Sequence, residues 1–466
     1  MGIGPLVGNK INFQAVNRDG PGIAEGDTVM PGQTSYFSTR VILSVLLLFL
    51  LSGCDRQDGE GKLPSGAVHL EVWAHAGQEA ERTVLREQVD RFRQHAPEVD
   101  ITLVFIPERD YNAQVQAAAI AGDMPDILEF DGPYLSNYIW QNQLIPLEVL
   151  LPPEVVADLL PSIIVQGTRG DHLYSVAAFD SGLGLFARRS RLERIGARIP
   201  RSSSEAWSAA EFEAILRALA QSDADGAVLD MKLNCGGEWF TFGFSPILQS
   251  AGADLIERRA YQRSTGVMNS SEAVAALQRV QDWIRQGLVD PNLDDAAFVT
   301  GRVALSWVGH WEYSRYREAY PDDLVLVPLP DFGRGSRTGQ GSWNWGITRN
   351  CTDPQQAADF LHFLLRTSEV LAMSNANGAV PGTESAVARS PLYGIDGPLR
   401  LFAEQLMGGV SVPRPRTPAY PVITTEFQQA VQRIRNNVPV REALDRAAAN
   451  IDQDIRDNHG YPFKTD

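Results

Sequence analysis

Between residues 67 and 144 short apolar runs alternate with amphipathic ones, and this alternation restricts the fold more than any other feature of the chain. AVHLEVWA (67–74) is apolar at every second residue, the pattern of a half-buried strand. QEAERTVLREQVDRFRQHA (78–96) places Val84, Leu85, Val89 and Phe92 at helical spacing. DITLVFI (100–106) predicts the next strand, and YNAQVQAAAIAG (111–122) a helix stopped by Gly122. PDILEFD (125–131) then predicts a strand and PYLSNYIWQNQL (133–144) a helix. Strand and helix in turn predict an α/β lobe with a mostly parallel sheet.

From about 190 to 340 the alternation gives way to helices, with AWSAAEFEAILRALAQ (206–221) and SEAVAALQRVQDWIRQGL (271–288) both clearly amphipathic. A chain of 466 residues is long enough for two domains or more, and 44% apolar with 21% charged residues is ordinary for a globular protein.

The N-terminal region is a separate matter. Val41–Leu51 is apolar except at Ser44, follows Arg40, and ends at Ser52, Gly53 and Cys54. Such a run makes about 16 Å of helix against a hydrocarbon core of about 30 Å, too short to span a membrane. A basic flank, a short apolar core and small residues before a cut site describe a secretory signal. Leu51-Ser52-Gly53-Cys54 resembles the bacterial lipobox, in which the cut precedes a lipidated cysteine. Residues 1–29 show no apolar period, so translation is expected to start at Met30, the alternative being an unusually long leader. Residues 30–53 are then the signal peptide, 1–53 the removed leader, and 54–66 a lipid anchor and Gly-rich linker. Lys10, Arg18 and Arg40 balance Asp19, Glu25 and Asp27, so the mature part keeps the whole net charge of −16. That charge makes the protein a poor partner for nucleic acid or an anionic membrane face, so no nucleic acid is expected, and it mildly disfavours a polyanionic ligand.

Catalytic signatures are missing. None of His69, His75, His95, His172, His310, His362 and His459 forms a metal-spaced pair, and there is no G-x-S-x-G elbow. GQGSW (339–343) and DADG (223–226) read as turns rather than as a phosphate loop or a calcium loop. Carboxylates such as Glu129, Asp131, Glu238 and Glu312 are present, but nothing in their spacing selects an acid–base pair. Aromatics are plentiful instead. Trp73, Trp239, Trp307, Trp311, Trp343 and Trp345 fall near expected strand ends or loops. Aromatic faces with a few placed polar groups make a small-molecule cleft, and sugars suit it through their C–H faces and hydroxyls.

Four segments in order carry a family resemblance: AAAIAGDMPDILEFDGPYLSNYIWQNQLIPL (117–147), GRVALSWVGHWEY (301–313), GSWNWGITRNCTDPQQAADFLHFLL (341–365) and RPRTPAYP (414–421). Together they resemble the extracellular solute-binding proteins of bacterial ABC importers, the maltose-binding-protein-like group, over almost all of 67–450. The resemblance implies a two-lobed periplasmic-binding-protein fold, class II-like, with hinge crossovers near Ala178–Gly182 and Trp343–Gly346 and the ligand in the interlobe cleft. Lobe 1 is expected at 67–180 plus 345–395, and lobe 2 at 181–344 plus 396–466.

Carried over by residue, the resemblance puts Ala74, His75 and Gly77 at the first strand's end, and Asp131, Gly132 and Pro133 after the PDILEF strand. Asp131 would accept ligand hydroxyls, against the plainer role of capping the next helix. Glu238 and Trp239 would form the second lobe's wall. Trp307, His310 and Trp311 come from the SWVGHW segment, where Trp307 and His310 depart from the family pattern and Leu305 replaces its methionine. Trp343, Arg414, Arg416 and Tyr420 complete the set. Cys235 and Cys351 fall in different lobes under this topology, so two free, buried thiols are expected.

The function implied is binding, not catalysis, without cofactor or metal. The expected protein is a monomeric sugar- or oligosaccharide-binding lipoprotein serving ABC permease subunits and their cytoplasmic ATPase. It is expected in the periplasm, held at the inner membrane through lipid on Cys54, since Asp55 resembles the retention signal that follows a lipidated cysteine. Alternatives are the same fold binding a polyol phosphate or an opine, and a secreted glycoside hydrolase. The anchor is testable by fractionation: Cys54→Ala should release soluble protein or leave the precursor uncut. Unchanged membrane attachment with an unmodified thiol would overturn it.

Overall fold

The computed structural model describes residues 67–463; the leader, Cys54 and the linker lie outside them. Strand β1 (Val68–His75) buries Leu70, Val72 and Ala74, as its alternation requires. Helix α1 (Glu79–His95) turns Leu85, Val89 and Phe92 inward. At its start the Gln78 N–H donates to Glu81 Oε2 at 2.6 Å, which satisfies a donor that the helix leaves free. Strand β2 (Val99–Ile106) and helix α2 (Glu108–Ala121) follow. Gly122 closes α2 at φ +73°, a left-handed cap that glycine adopts without penalty. Strand β3 (Ile127–Asp131) is buried throughout. The helix expected over 133–144 is shorter: a 3₁₀ turn at Gly132–Tyr134 leads into α3 (Leu135–Trp140). Helix α4 (Pro161–Gly167) comes next.

The second half holds a sheet that the helical character of 190–340 conceals. Strand β4 (Leu183–Arg188) begins it. Helix α5 (Ala209–Ala220) is capped by the Ser208 hydroxyl, which accepts the Glu211 N–H at 3.2 Å. Strand β5 (Leu229–Asp230), helices α6 (Trp239–Ala251) and α7 (Ser271–Arg285), and strands β6 (Leu305–Gly309) and β7 (Leu324–Val327) follow. Strand β8 (Thr338–Gln340) precedes β9 (Trp343–Ile347). Helices α8 (Pro354–Leu364) and α9 (Thr367–Asn377) return to the first half, where Phe360 and Phe363 meet Phe92 edge to face. Strand β10 (Ser411–Pro413) and helices α10 (Tyr420–Arg435) and α11 (Val440–Asp457) end the described chain.

Two four-stranded sheets result, in the orders β9-β3-β1-β2 and β7-β4-β6-β5. In the first, β1 runs parallel to β2 and β3, while β9 is antiparallel to β3 with Trp343 opposite Asp131. In the second, β4 is antiparallel to both neighbours, so this sheet is not the parallel kind. The chain passes between the sheets at 181–182 and again at 341–342. Trp343 and Asn344 therefore belong to the first sheet, and the second crossover ends before Trp343 rather than within Trp343–Gly346.

The two crossovers are bonded together. Thr338 Oγ1 accepts the Leu183 N–H at 2.6 Å and donates to its carbonyl at 3.0 Å. The buried Asp180 carboxylate accepts N–H groups of Ser181 (2.7 Å), Gly341 (3.2 Å) and the Gln166 amide (3.1 Å). Gly341 sits at φ +127°, where a side chain would be strained.

Two expectations need correction. Both described cysteines are free, but Cys235 is exposed and Cys351 half-buried. Cys235 lies in the exposed turn 234–237 before α6, where no apolar layer covers it. Trp307 is core, not cleft: β6 is buried on both faces, and the Trp307 ring is 0% exposed with its N–H donating to the Gly243 carbonyl at 2.9 Å. Trp307→Ala should lower the free energy of unfolding by about 3–5 kcal/mol, through the cavity and the unpaired carbonyl. Urea denaturation measures this; a loss below about 1 kcal/mol would contradict the core placement.

Candidate functional site

The site is built where the C-terminal ends of β1 and β3 meet β9 and the start of α6. His75, the last residue of β1, is 8% exposed. Its Nδ1–H donates to Glu129 Oε2 at 2.7 Å, and its backbone N–H donates to the same oxygen at 3.0 Å. The imidazole lies flat on Trp343, with centroids 4.0 Å apart and planes 2° from parallel. Tyr111 presses edge-on to Trp343 at 5.1 Å while its hydroxyl donates to the Glu129 carbonyl. Burial alone would lower the His75 pKa, but the charge and hydrogen bond of Glu129, with the nearby charges of Glu81 and Glu108, raise it to about 9. Gly77 occupies the turn after β1 and its carbonyl accepts from Arg82 at 2.7 Å.

Asp131 does not cap the following turn. It receives both terminal nitrogens of Arg414, a bidentate pair, and Arg414 Nη1 also donates to Glu238 Oε2 at 3.0 Å. The cluster therefore joins β3 of the first sheet to the start of α6 beside the second. Arg414 is 4% exposed and its guanidinium stands 5.0 Å from the centre of the Phe242 ring. Tyr134 donates to Glu238 Oε1 at 2.9 Å, and Tyr420 donates to Oε2. Burial pushes the Asp131 carboxyl up, to about 6, against the opposing pull of Arg414. Gly132 approaches closely: its N–H bonds the Ser342 carbonyl at 3.0 Å, and a Cβ there would lie 2.7 Å from Asn344 Nδ2 and 2.9 Å from Gln166 Oε1. Pro133 starts the buried 3₁₀ turn.

In the second half, Trp239 and Trp311 meet edge to face at 6.2 Å. Trp239 is nearly enclosed, with its N–H on the Met231 carbonyl at 3.1 Å, whereas Trp311 is half-buried. Gln78, at the start of α1, donates to the Trp311 carbonyl at 2.8 Å, a further bond between the two halves. Arg416 is half-buried and donates to the Val165 carbonyl at 2.5 Å.

Thus His75, Asp131, Gly132, Pro133, Glu238, Trp343, Arg414 and Tyr420 form one connected set, with Trp239 and Trp311 beside it. Trp307 is not among them, and His310 is corrected as well. His310 is buried, and burial lowers its pKa to about 4, so it is neutral. Its Nδ1–H donates to the Asn377 carbonyl at 3.0 Å and its Nε2 accepts the Ser181 hydroxyl at 2.9 Å. Both ring nitrogens are thus taken by the protein, and His310 ties a crossover to the end of α9. Sequence reasoning gave no role to Glu129 beyond that of a stray carboxylate and overlooked Tyr111, Tyr134 and Phe242. Glu129 had a signal: it stands two residues from Asp131, on the same side of an otherwise apolar strand. Among the described residues no group of three or more His, Cys, Asp or Glu is placed to hold a metal ion, and no helix is long and apolar enough to cross a membrane.

The His75–Glu129 pair sets a pH dependence. The folded-state value near 9 exceeds the unfolded 6.5, so its contribution to stability is complete below about pH 6.5 and is lost as the pH rises towards 9. Each pH unit in that window costs at most about 1.4 kcal/mol. Urea denaturation of wild type and His75→Gln at pH 6 to 9.5 should show the decline in wild type and a shallower one in the variant. Parallel curves would contradict the pairing.

The pattern of the bacterial extracellular solute-binding proteins matches residues 87–394. An uncharacterised lipoprotein from the oleD 5′ region of Streptomyces antibioticus is 23% identical over 360 residues, 74% of this chain and 77% of the relative. The cyclic α-maltosyl-1,6-maltose binding protein of Arthrobacter globiformis superposes with a TM-score of 0.68 at 21% identity, over 84% of this chain and all of that one. A solute-binding protein from Thermotoga lettingae bound with α-D-tagatose gives 0.70 at 20% identity, over 83% and 99%. The sugar-binding protein MalE of Xanthomonas citri gives 0.69 at 19%, over 84% and 98%. These structures share the two-lobed fold. With the family pattern spanning most of the chain, the protein belongs to the bacterial extracellular solute-binding proteins.

Proposed function

We propose that this protein binds a sugar or oligosaccharide between its lobes and delivers it to the permease of an ABC importer, tethered by lipid on Cys54 at the outer face of the cytoplasmic membrane. The observation that carries the reading is that Trp343 stands opposite Asp131, and that Arg414 ties Asp131 to Glu238, the residue before Trp239, whose ring meets Trp311. Aromatic planes cover the C–H faces of a pyranose, and the carboxylates and guanidinium serve its hydroxyls. The solved relatives that bind maltose-type sugars and tagatose support the same class.

The halves already touch through Arg414 and Gln78. A ligand drives closure only as far as it binds the closed form better than the open one. A sugar therefore has to replace these contacts with better ones, which the half-buried Trp311 and Trp343 supply. A lobe-closed complex is what a permease can tell from the empty protein, and this reading has the protein act as a monomer.

A thermal-shift panel of mono- and oligosaccharides tests the reading, since a ligand at a hundred times its Kd adds about 2.7 kcal/mol of stability. Trp343→Ala and Trp311→Ala should each weaken binding of the best sugar by about 2–4 kcal/mol, thirtyfold or more, and cost the empty protein much less. Unfolding of both variants with affinity spared would defeat the aromatic-cleft reading. Release of reducing sugar from an oligosaccharide would turn it towards a hydrolase.

A further inference from the structure

A groove of about 560 Å³ opens beside the cleft, lined among others by Gly132, Leu135, Val165, Gln166, Arg169 and Arg416. It starts one residue from Asp131, so it continues the site described above. Val165 is 44% exposed and supplies, with Leu135, an apolar floor. Two guanidiniums stand over this floor. Arg169 is seated on the Phe463 ring at 4.1 Å, and Arg416 is held by the Val165 carbonyl. Among the described residues neither forms an ion pair with a carboxylate. Burial first, and then the Arg416 charge, hold the Arg169 guanidinium below its ordinary proton affinity, as expected for two like charges sharing a groove without a counter-ion.

A second observation points to a ligand at the same place. Gln166 is buried, and its amide nitrogen is committed to Asp180 at 3.1 Å. Its Oε1 has no hydrogen-bond partner among the described residues, although buried acceptors are nearly always satisfied. That oxygen faces the space left by the missing Cβ of Gly132, 2.9 Å from where such an atom would be. A Cβ on Gly341 would lie 3.5 Å from this oxygen and 3.8 Å from Arg414 Nε, which is likewise buried and without a hydrogen-bond partner among the described residues. Gln166, Arg169 and Arg416 thus line one groove, the first with an unsatisfied acceptor and the other two without a carboxylate partner among the described residues.

We propose that the groove receives an oxyanion carried by the sugar, a carboxylate or a phosphate, on Arg169 and Arg416, with a ring hydroxyl on Gln166 Oε1 and the ring face over Val165. The inference rests on the sugar reading above and narrows it to acidic sugars. The overall charge of −16 disfavours polyanions in general; the paired arginines are a local exception, and guanidinium is the group best matched to a planar oxyanion.

Titration calorimetry on the mature protein tests it with three probes: maltose, the corresponding disaccharide ending in glucuronate, and glucose 6-phosphate. An acidic probe should bind at least about tenfold tighter than maltose, the lower end for a charge-assisted hydrogen bond. The advantage should shrink as salt rises from about 0.05 to 0.5 M. Whichever acidic probe is preferred identifies the oxyanion. In Arg169→Gln and Arg416→Gln the acidic-to-neutral affinity ratio should fall about tenfold or more. Arg169→Lys, which keeps the charge, should retain part of it, and circular dichroism checks that each variant is folded. Equal affinities for neutral and acidic sugars, or a ratio unmoved by the substitutions, would overturn this inference and leave the sugar reading standing. No binding of any probe or of the wider sugar panel would overturn both.

Discussion

Arg414 is a buried cation shared by two carboxylates from different halves of the molecule, Asp131 at the end of β3 and Glu238 at the start of α6. Taking three charges out of water is costly, and a buried ion pair seldom outperforms a well-packed apolar contact. Its effect lies in geometry. A bidentate guanidinium accepts Asp131 in one plane, and the hydroxyls of Tyr134 and Tyr420 fix Glu238 from two sides. Opening the angle between the halves parts Asp131 from Glu238, so Arg414 cannot keep both carboxylates. The cluster therefore defines one relative position of the two sheets, at the place where a bound solute is expected to act.

The hinge beneath the cluster obeys the same logic. Two crossovers that moved independently would let the halves twist as well as open. Thr338 bonds both the N–H and the carbonyl of Leu183, and Asp180 gathers donors from both crossovers and from α4. The pair thus behaves as one narrow band. His310 adds a strut from Ser181 to the end of α9, and it has to be neutral to accept the serine hydroxyl while donating to a carbonyl. Gly341 permits the chain to turn at φ +127° between Gln340 and the start of the first sheet's edge strand. Gln166 links this band to the groove through its amide nitrogen, so a ligand on its free oxygen would touch a residue bonded to the hinge.

Periodicity made β1 and α1 legible because each buries one face at its own spacing, Gly122 ends α2 where expected, and β3, buried on both faces, was marked by its short apolar run after Pro125. The second sheet was not legible. Strands β4 and β6 are buried on both faces and so lose the alternation that marks a strand, while β5 has only two residues. The tryptophans show the limit most clearly. Trp307, Trp311 and Trp343 were all expected near strand ends, yet the first stands mid-strand in β6, sealed in the core, and the other two are half-buried. What separates them is which element packs over each ring, α6 in the case of Trp307, and that is a tertiary fact. His310 was misplaced for the same reason, because its two partners come from residues 181 and 377.

The polar residues divide along a related line. Asp131, Glu238, Arg414 and Tyr420 were read from short motifs scattered over nearly three hundred residues, and they converge because each motif ends an element at the boundary between the halves. Arg169 carries no such mark: it sits in a two-residue strand beside a turn and meets Arg416 only through the packing of α4 and the chain's last described residues. Motifs at element ends disclose what a family binds with in common. The residues that distinguish one solute from another stand in loops, where neighbours far apart in sequence set their chemistry. Gln166 in the last turn of α4 and Arg169 in the short strand after it are set by such distant neighbours, and for this chain the choice of solute is expected to rest with them more than with the aromatic planes.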